Sequence, residues 1–415
     1  MDANNFDCIV LGAGIQGSYT AYHLAKNKKK TLLVEQFVLP HSRGSSHGHT
    51  RIIRKAYEQD YYTRMMSECY QLWAQLEKEA NIQIYRNTGM LVVGKEDCSA
   101  FRSLRGTLLR NNVPMEVLSP EQFASRFPSV RLPPGESAVI DKTAGVLHAD
   151  RALKAVQDLF RGLGGVIHDG EKVVDFTPGS PITMTTNSGM YRAQSLVLRI
   201  NVCYWKERIP GTYGIGRHFP CFIGVKQHGA KHDIYGLPSN EYPGLMKICY
   251  HSGSETEPDE RDRQTSQEDI AIFSSFVSKS FPGLDPTPAV VEQCMYTICY
   301  HSGSETEPDE RDRQTSQEDI AILSSFVSKS FPGLDPTPAV VEQCMYTVTP
   351  DSDFILDQHP SHSNIIIGAG FSGHGFKLAP VVGKILCELA LGKTPSFDLS
   401  PFRITRFQSL LKSAL

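Results

Sequence analysis

The chain has 415 residues, 40% of them hydrophobic and 21% charged, with a formal net charge of -3. That length can bury a sizeable core and divide into two domains or one bilobed unit. The charge balance offers no basic excess for phosphates, so no nucleic-acid partner is expected, and no apolar run of about 18 residues is present to span a membrane. Met1-Asp-Ala-Asn-Asn lacks the basic start and apolar stretch of a signal peptide. The ten cysteines are scattered without paired or metal-ligand spacing, and read as reduced thiols with no metal site.

Phe6 to Leu11 is a short apolar strand that runs into Gly12-Ala13-Gly14-Ile15-Gln16-Gly17, a helical run to Lys26 and a second strand, Thr31 to Glu35. This is a complete βαβ dinucleotide fingerprint. Gly12 permits the tight turn, Gly14 lets a pyrophosphate approach the backbone, and Gly17 lets helix pack closely on strand. Glu35, 18 residues past Gly17, is placed to accept hydrogen bonds from both ribose hydroxyls. An adenine dinucleotide is expected, and the pattern itself does not separate FAD from NAD. The segment from His41 to Tyr57 carries His47, His49, Arg51 and Arg54. It reads either as a solvated basic loop or as a wrap around a cofactor that presents cations to an acid substrate. Its place after the ribose strand favours the second reading.

Helical spacing then predicts a core helix over Tyr61 to Ala80 and another over Asp150 to Leu163, with two strands around Asn87-Thr-Gly89 between them. Asp97 to Pro134 mixes helical spacing with prolines and belongs to a second domain. Val166 to Phe176, Pro181 to Thr186 and Tyr191 to Leu198 read as strands, and Pro210 to Tyr250 as β-rich, with strands around Tyr235 and Lys247.

Residues 248–297 recur as 298–347 with 49 of 50 positions identical, Phe273 against Leu323 being the exception. Two copies fall short of a solenoid array, so the repeat reads as a tandem duplication or an assembly error. Each end of the pair is fixed by its neighbours, copy one by the strand through Lys247 and copy two by the strand entering Asp351. The core should take the start of copy one and the end of copy two, loop out about one copy's worth of chain, and leave Cys294 and His301 away from the site.

The stretch from Cys344 to Lys377 closes the pattern. Cys344-Met-Tyr-Thr-Val-Thr-Pro-Asp leads to the strands Phe354 to Asp357 and Asn364 to Gly368, then to a loop with glycines at 368, 370, 373 and 375 and a helix from Phe376 to Leu391. Backbone amides of such a loop can approach a flat or anionic ligand at a helix start. A second glycine seat favours FAD over NAD.

Gly12 to Gly17, Ser45-Ser-His-Gly-His-Thr-Arg-Ile-Ile-Arg54, Cys344-Met-Tyr-Thr and Gly370-Phe-Ser-Gly-His-Gly-Phe-Lys377 together make the chain similar, over nearly its whole length, to the monomeric sarcosine oxidase family of flavin amine oxidases. Within that family it most resembles the branch of peroxisomal sarcosine and L-pipecolate oxidases. The resemblance implies an α/β, Rossmann-like FAD-binding domain of the glutathione-reductase type, interleaved in sequence with a β-rich substrate domain. The expected division is 1–85, 146–199 and 348–415 for the FAD domain, and 86–145 and 200–347 for the substrate domain. FAD would be held covalently through Cys344, not Cys294, because only Cys344 runs on into the family's Thr-Pro-Asp. Cofactor contacts are implied for Gly12, Gly14, Ile15, Gln16, Gly17, Glu35, Arg43, Ser46, Val173, Gly370 and Gly373. Arg54 and Lys377 would clamp the substrate carboxylate, with Tyr235 a further substrate contact. Lys247, His251, Arg51 and His47 would line the catalytic cavity, with Lys247 over the flavin to promote its reaction with oxygen.

The implied activity is oxidation of a secondary amino acid, sarcosine or L-pipecolate, by hydride transfer to the flavin and reoxidation by O2 to peroxide, in a monomer. Two departures define a competing expectation, an inert flavin-binding remnant or an unstable rearranged product. Leu198 runs straight into Arg199 where the family carries about two dozen further residues that close over the flavin, and the repeat separates Lys247 from Cys344. Ser413-Ala-Leu415 resembles a peroxisomal address with alanine in place of the basic residue, which makes the peroxisomal import receptor the expected partner.

Overall fold

The computed structural model describes residues 4–41, 44–195, 205–206, 219–224, 234–237, 245–250, 294–296, 317–331, 334–335, 344–346, 349 and 351–407. A parallel sheet carries the first glycine loop, with Thr31–Val34 between Cys8–Leu11 and Val166–His168. Every residue of the first two strands is buried, as a parallel sheet covered on both faces requires. Alternate residues serve the two faces. Cys8, Val10 and Leu33 join the core beneath the helices, whereas Ile9, Leu11, Leu32 and Val34 pack with Met184, Tyr191 and Ala193 of an antiparallel meander.

The helix Ile15–Lys26 crosses the C-terminal helix Ala379–Ala390 at close range. A Cβ on Gly383 would stand 2.7 Å from Tyr19 Cβ and 2.8 Å from the Thr20 amide nitrogen, so only glycine permits this approach. The C-terminal helix is thereby docked on the N-terminal βαβ unit. A third helix, Ala149–Gly162, packs on the same core, so the nucleotide-binding layer is assembled from three separated stretches.

The second layer is a seven-stranded sheet in the order Trp205–Lys206, Leu245–Tyr250, Ile234–Leu237, Cys221–Gly224, Met90–Lys95, Glu136–Asp141, Met115–Leu118. Its strands pair antiparallel except Cys221–Gly224 with Met90–Lys95. The helix Ser99–Arg110 covers it with Phe101, Leu104 and Leu108. A small sheet of Thr50–Ile53, Gly145–His148 and Tyr85–Asn87 links the two layers. This is the expected α/β architecture with a β-rich part interleaved in sequence.

Several local expectations need correction. Val166 to Phe176 is two strands, because Asp169-Gly170 makes a turn with Gly170 at φ 68°. Thr50–Ile53, Glu136–Asp141 and Gly145–His148 are strands where none was expected. Of the strand expected over Tyr191 to Leu198, the described part covers Met190–Ala193 and Ser195 bridges to Cys8, while 196–198 lie outside the described residues. No described helix is long and apolar enough to cross a membrane.

The repeat is used unequally among the described residues. Copy one contributes the end of the strand Leu245–Tyr250 to the large sheet. Copy two supplies the helix Gln317–Ser330, whose Phe326 and Val327 are fully buried together with Phe331 and Leu334 just beyond it. Phe331 meets the Phe219 ring at 6.4 Å, and the Arg131 amide donates to the Ser330 carbonyl at 3.0 Å. The equivalent helix of copy one and His301 lie outside the described residues. Cys294 does not stand apart as expected: Cys294–Tyr296 pairs in parallel with Cys344–Tyr346, residue against equivalent residue.

Candidate active site

The first glycine loop is built for close approach. Gly12 has φ 88°, and a Cβ on Gly17 would sit 2.0 Å from the Gly12 carbonyl oxygen, so the helix can meet the turn only without a side chain there. Gly14 caps the helix in extended backbone, and the first turn carries no acidic residue of its own to compete with an anion for the positive end of the helix. The Ile15 amide donates to Ser46 Oγ at 3.0 Å, which brings the segment after the second strand against the loop. Glu35 is buried, and its Oε2 accepts from the Ala13 amide at 2.9 Å while Oε1 accepts from the Phe37 amide at 3.2 Å. Glu171 donates its amide to the Glu35 carbonyl, and Val173 opens the meander strand two residues on.

The second glycine loop meets the first directly. Gln16 Nε2 donates to the Gly375 carbonyl at 2.8 Å, and Gln16 Oε1 is buried with no partner. Gly370 and Gly373 have φ 63° and 73°, and a Cβ on Gly370 would meet Thr349 Cγ2 at 2.3 Å. Thr349 is pinned in turn, donating from Oγ1 to the Asp353 carbonyl at 2.6 Å. The strand of Cys344 therefore leads into an anchor that touches the loop. A dinucleotide fits this construction: glycines where a side chain would fill the cradle, a helix start with no acid in its first turn, a buried acid at the ribose position, and an unspent buried acceptor on Gln16.

Three cations gather beside the loops. Arg51 is buried and donates to the carbonyls of Thr50, Ser45 and His47 at 2.6, 2.8 and 2.7 Å, so it organises the wrapping segment from within. His47 Nδ1 lies 2.7 Å from the Gly44 carbonyl oxygen. The Arg54 guanidinium lies 4.2 Å from the centroid of the Tyr57 ring, and Lys377 Nζ lies 6.0 Å from the same centroid. Lys377 is 6% exposed, and its ammonium donates to the His374 carbonyl at 3.2 Å. Burial, then the charges of Arg54 and Arg51, push the Lys377 ammonium well below the usual lysine range.

Sequence reasoning missed the aromatic floor on which these cations rest. Tyr57, Tyr62, Phe354 and His374 form a contiguous ring cluster, with Tyr57 to Tyr62 at 5.0 Å, Tyr62 to His374 at 4.8 Å and Phe354 to His374 at 4.6 Å. The Tyr57 hydroxyl is buried without a hydrogen-bond partner. Trp73 stacks on Phe376 and donates from Nε1 to the Lys377 carbonyl at 2.9 Å, which fixes the turn that carries the lysine. The available signal was Tyr57 lying three residues beyond Arg54. Lys247 and Tyr235 lie on neighbouring strands, with Lys247 opposite Leu237 and Tyr235 opposite Cys249. Arg43 and His251 lie outside the described residues.

Residues 7–199 and 297–389 match the FAD dependent oxidoreductase family. The chain is 49% identical to the peroxisomal sarcosine oxidase of Homo sapiens, over 99% of this chain and 98% of that protein. It is 31% identical to the monomeric sarcosine oxidase of Bacillus sp. (strain NS-129) over the whole of both. Its fold is similar to the open form of NikD, an unusual amino acid oxidase, with a TM-score of 0.73 over 97% of this chain and 98% of that one, at 18% identity. The alignment with the human protein extends over 435 positions, 20 more than the 415 residues here, so at least that many of its positions have no counterpart in this chain.

Proposed function

The chain belongs to the FAD dependent oxidoreductase family, and on that premise we propose that it is a flavin oxidase of secondary amino acids, with sarcosine and L-pipecolate as the substrates to test. The observation that carries this reading is the convergence of Arg54 and Lys377 on the Tyr57 ring beside two joined glycine loops. A buried lysine and a half-buried arginine with no acid bonded to either among the described residues suit a carboxylate, and charge-assisted bonds would hold it in one orientation. FAD held by the two glycine loops would supply the hydride acceptor for the carbon next to the substrate nitrogen and the electrons that reduce O2 to peroxide.

The chain's own residues supply position. Glu35 and the first glycine loop hold the adenosine and pyrophosphate end, Gln16 ties that loop to the second, and Arg51 fixes the segment bearing Arg54. Lys247, with His251 and His47, is assigned to the oxygen-reactive side, where a fixed positive charge stabilises the anion formed as oxygen is reduced. Cys344 is assigned the covalent tether to the flavin 8α carbon, supported by its continuation into the Thr349 anchor. A peroxisomal location is proposed from the human relative and the Ser413-Ala-Leu415 ending, read by the import receptor, with the enzyme a monomer like its bacterial relative. The inert-remnant alternative finds no support in these comparisons, since the family match contains both glycine loops, Arg54, Cys344 and Lys377.

The test is peroxide production by the purified holoprotein with sarcosine and with L-pipecolate. Peroxide with either one upholds the reading, and a flavin-loaded protein that turns over neither restores the remnant.

A further inference from the structure

We propose that Lys377 stands without its proton in the free site and takes one up when a carboxylate binds between it and Arg54, so that substrate binding is coupled to proton uptake. This rests on the reading of Arg54 and Lys377 as the carboxylate clamp.

The geometry creates a charge conflict in the free site. Lys377 is 6% exposed, and among the described residues its amine has one hydrogen bond, to the His374 carbonyl at 3.2 Å, where an ammonium has three protons to place. Arg54 shares the Tyr57 ring with it, and Arg51 lies 5.5 Å from the ring of Phe376, the residue before it. Among the described residues, the groups facing Lys377 are Arg51 and Arg54 from the wrapping segment, Tyr57 beyond them, Cys69 from the helix Asp60–Ala80, and His374 from its own loop. None of these supplies a carboxylate. The guanidiniums cannot shed their protons, so lysine is the one member of the cation trio able to relieve the repulsion. Burial favours the same outcome, and the resulting displacement of its titration is downward.

A bound carboxylate reverses each of these conditions. It brings a negative charge and acceptor oxygens, so the amine recovers a proton from solvent and becomes the ammonium partner of the new anion. No other bond changes. The site therefore takes a carboxylate and a proton together, and a neutral ligand of the same shape gains nothing from Lys377.

The probe is acetate, which carries no amine of its own. The holoprotein is titrated with acetate across a pH series, with binding followed by perturbation of the flavin spectrum, and calorimetry is run in buffers of differing ionisation enthalpy. The proposal expects uptake of up to about one proton per acetate bound, and an acetate Kd that rises by up to about tenfold per pH unit above the titration of the free site. Lys377→Arg, always charged, should bind acetate with no such pH dependence, and Lys377→Met weakly and equally flat. A wild-type Kd independent of pH with no buffer dependence, while Lys377→Met still weakens binding, overturns the proposal and leaves the clamp standing. Proton uptake that persists in Lys377→Arg also overturns it. Acetate affinity unchanged in both Lys377→Met and Arg54→Leu overturns the clamp itself.

Discussion

Glu35 Oε2 accepts a hydrogen bond from the Ala13 amide at 2.9 Å, so the acid expected to hold the ribose also braces the glycine loop that holds the pyrophosphate. Losing it removes a charge-assisted bond and leaves a buried amide without its partner. Glu35→Ala should weaken flavin retention by about 1.5–3 kcal/mol, roughly 10- to 150-fold in affinity. The measurement is the flavin fraction retained after gel filtration at falling protein concentration.

Gly17→Ala places a Cβ 2.0 Å from the Gly12 carbonyl oxygen, a backbone atom that can yield only by moving the turn. A loss of about 1–3 kcal/mol in stability is expected, together with loss of flavin. Thermal unfolding and visible absorbance of the purified variant check both.

Tyr57 separates ring from hydroxyl. Tyr57→Phe keeps the surface shared by Arg54 and Lys377 and removes a buried hydroxyl with no partner, so stability and KM should stay near wild type or improve slightly. Tyr57→Leu removes the cation-facing ring, worth about 1 kcal/mol, and should raise KM roughly fivefold with a smaller change in kcat. Steady-state kinetics of the two variants side by side make the comparison.

His23 is half-buried, with Nε2 3.0 Å from the Pro380 carbonyl oxygen, and its titration is lowered from 6.5 to about 4, chiefly by loss of solvent around the ring. The unfolded chain thus binds the proton more readily than the folded one between those values. Stability is fully present above about pH 6.5 and falls by up to about 3 kcal/mol as pH drops toward 4. Urea unfolding at both ends of that window should show the loss, and His23→Gln should flatten it.

The repeat offers a test by matched pairs. Phe326 and Phe331 of copy two are fully buried, so Phe326→Ala or Phe331→Ala should cost about 3–5 kcal/mol. If one copy occupies the core, the same changes at Phe276 and Phe281 should shift the unfolding midpoint little. Equal losses in both copies would contradict that arrangement.

What the sequence disclosed follows the range of the interactions involved. The βαβ unit was legible because Gly12, Gly17 and Glu35 act within one short segment, and their spacing is itself the geometry. The strands Thr50–Ile53 and Gly145–His148 were not, because they form a sheet only with each other and with Tyr85–Asn87. Asp169-Gly170 falls inside what reads as one strand from Val166 to Phe176, although its turn chemistry is present in the sequence. The cation pair was named from a motif, but the Tyr57 platform and the bond from Gln16 to Gly375 span up to 359 residues and carry no local pattern.

The central claim is that the Arg54 and Lys377 site orients an amino acid for oxidation by the bound flavin. Its most direct test is an anaerobic titration of the holoprotein with sarcosine and with L-pipecolate, followed by admission of oxygen. Bleaching of the flavin band by at least one of them, its return with oxygen, about one peroxide per flavin, and a much higher half-saturating concentration in Arg54→Leu are the results expected. A flavin band that neither compound bleaches, or an Arg54→Leu variant that bleaches at wild-type concentrations, would contradict the claim.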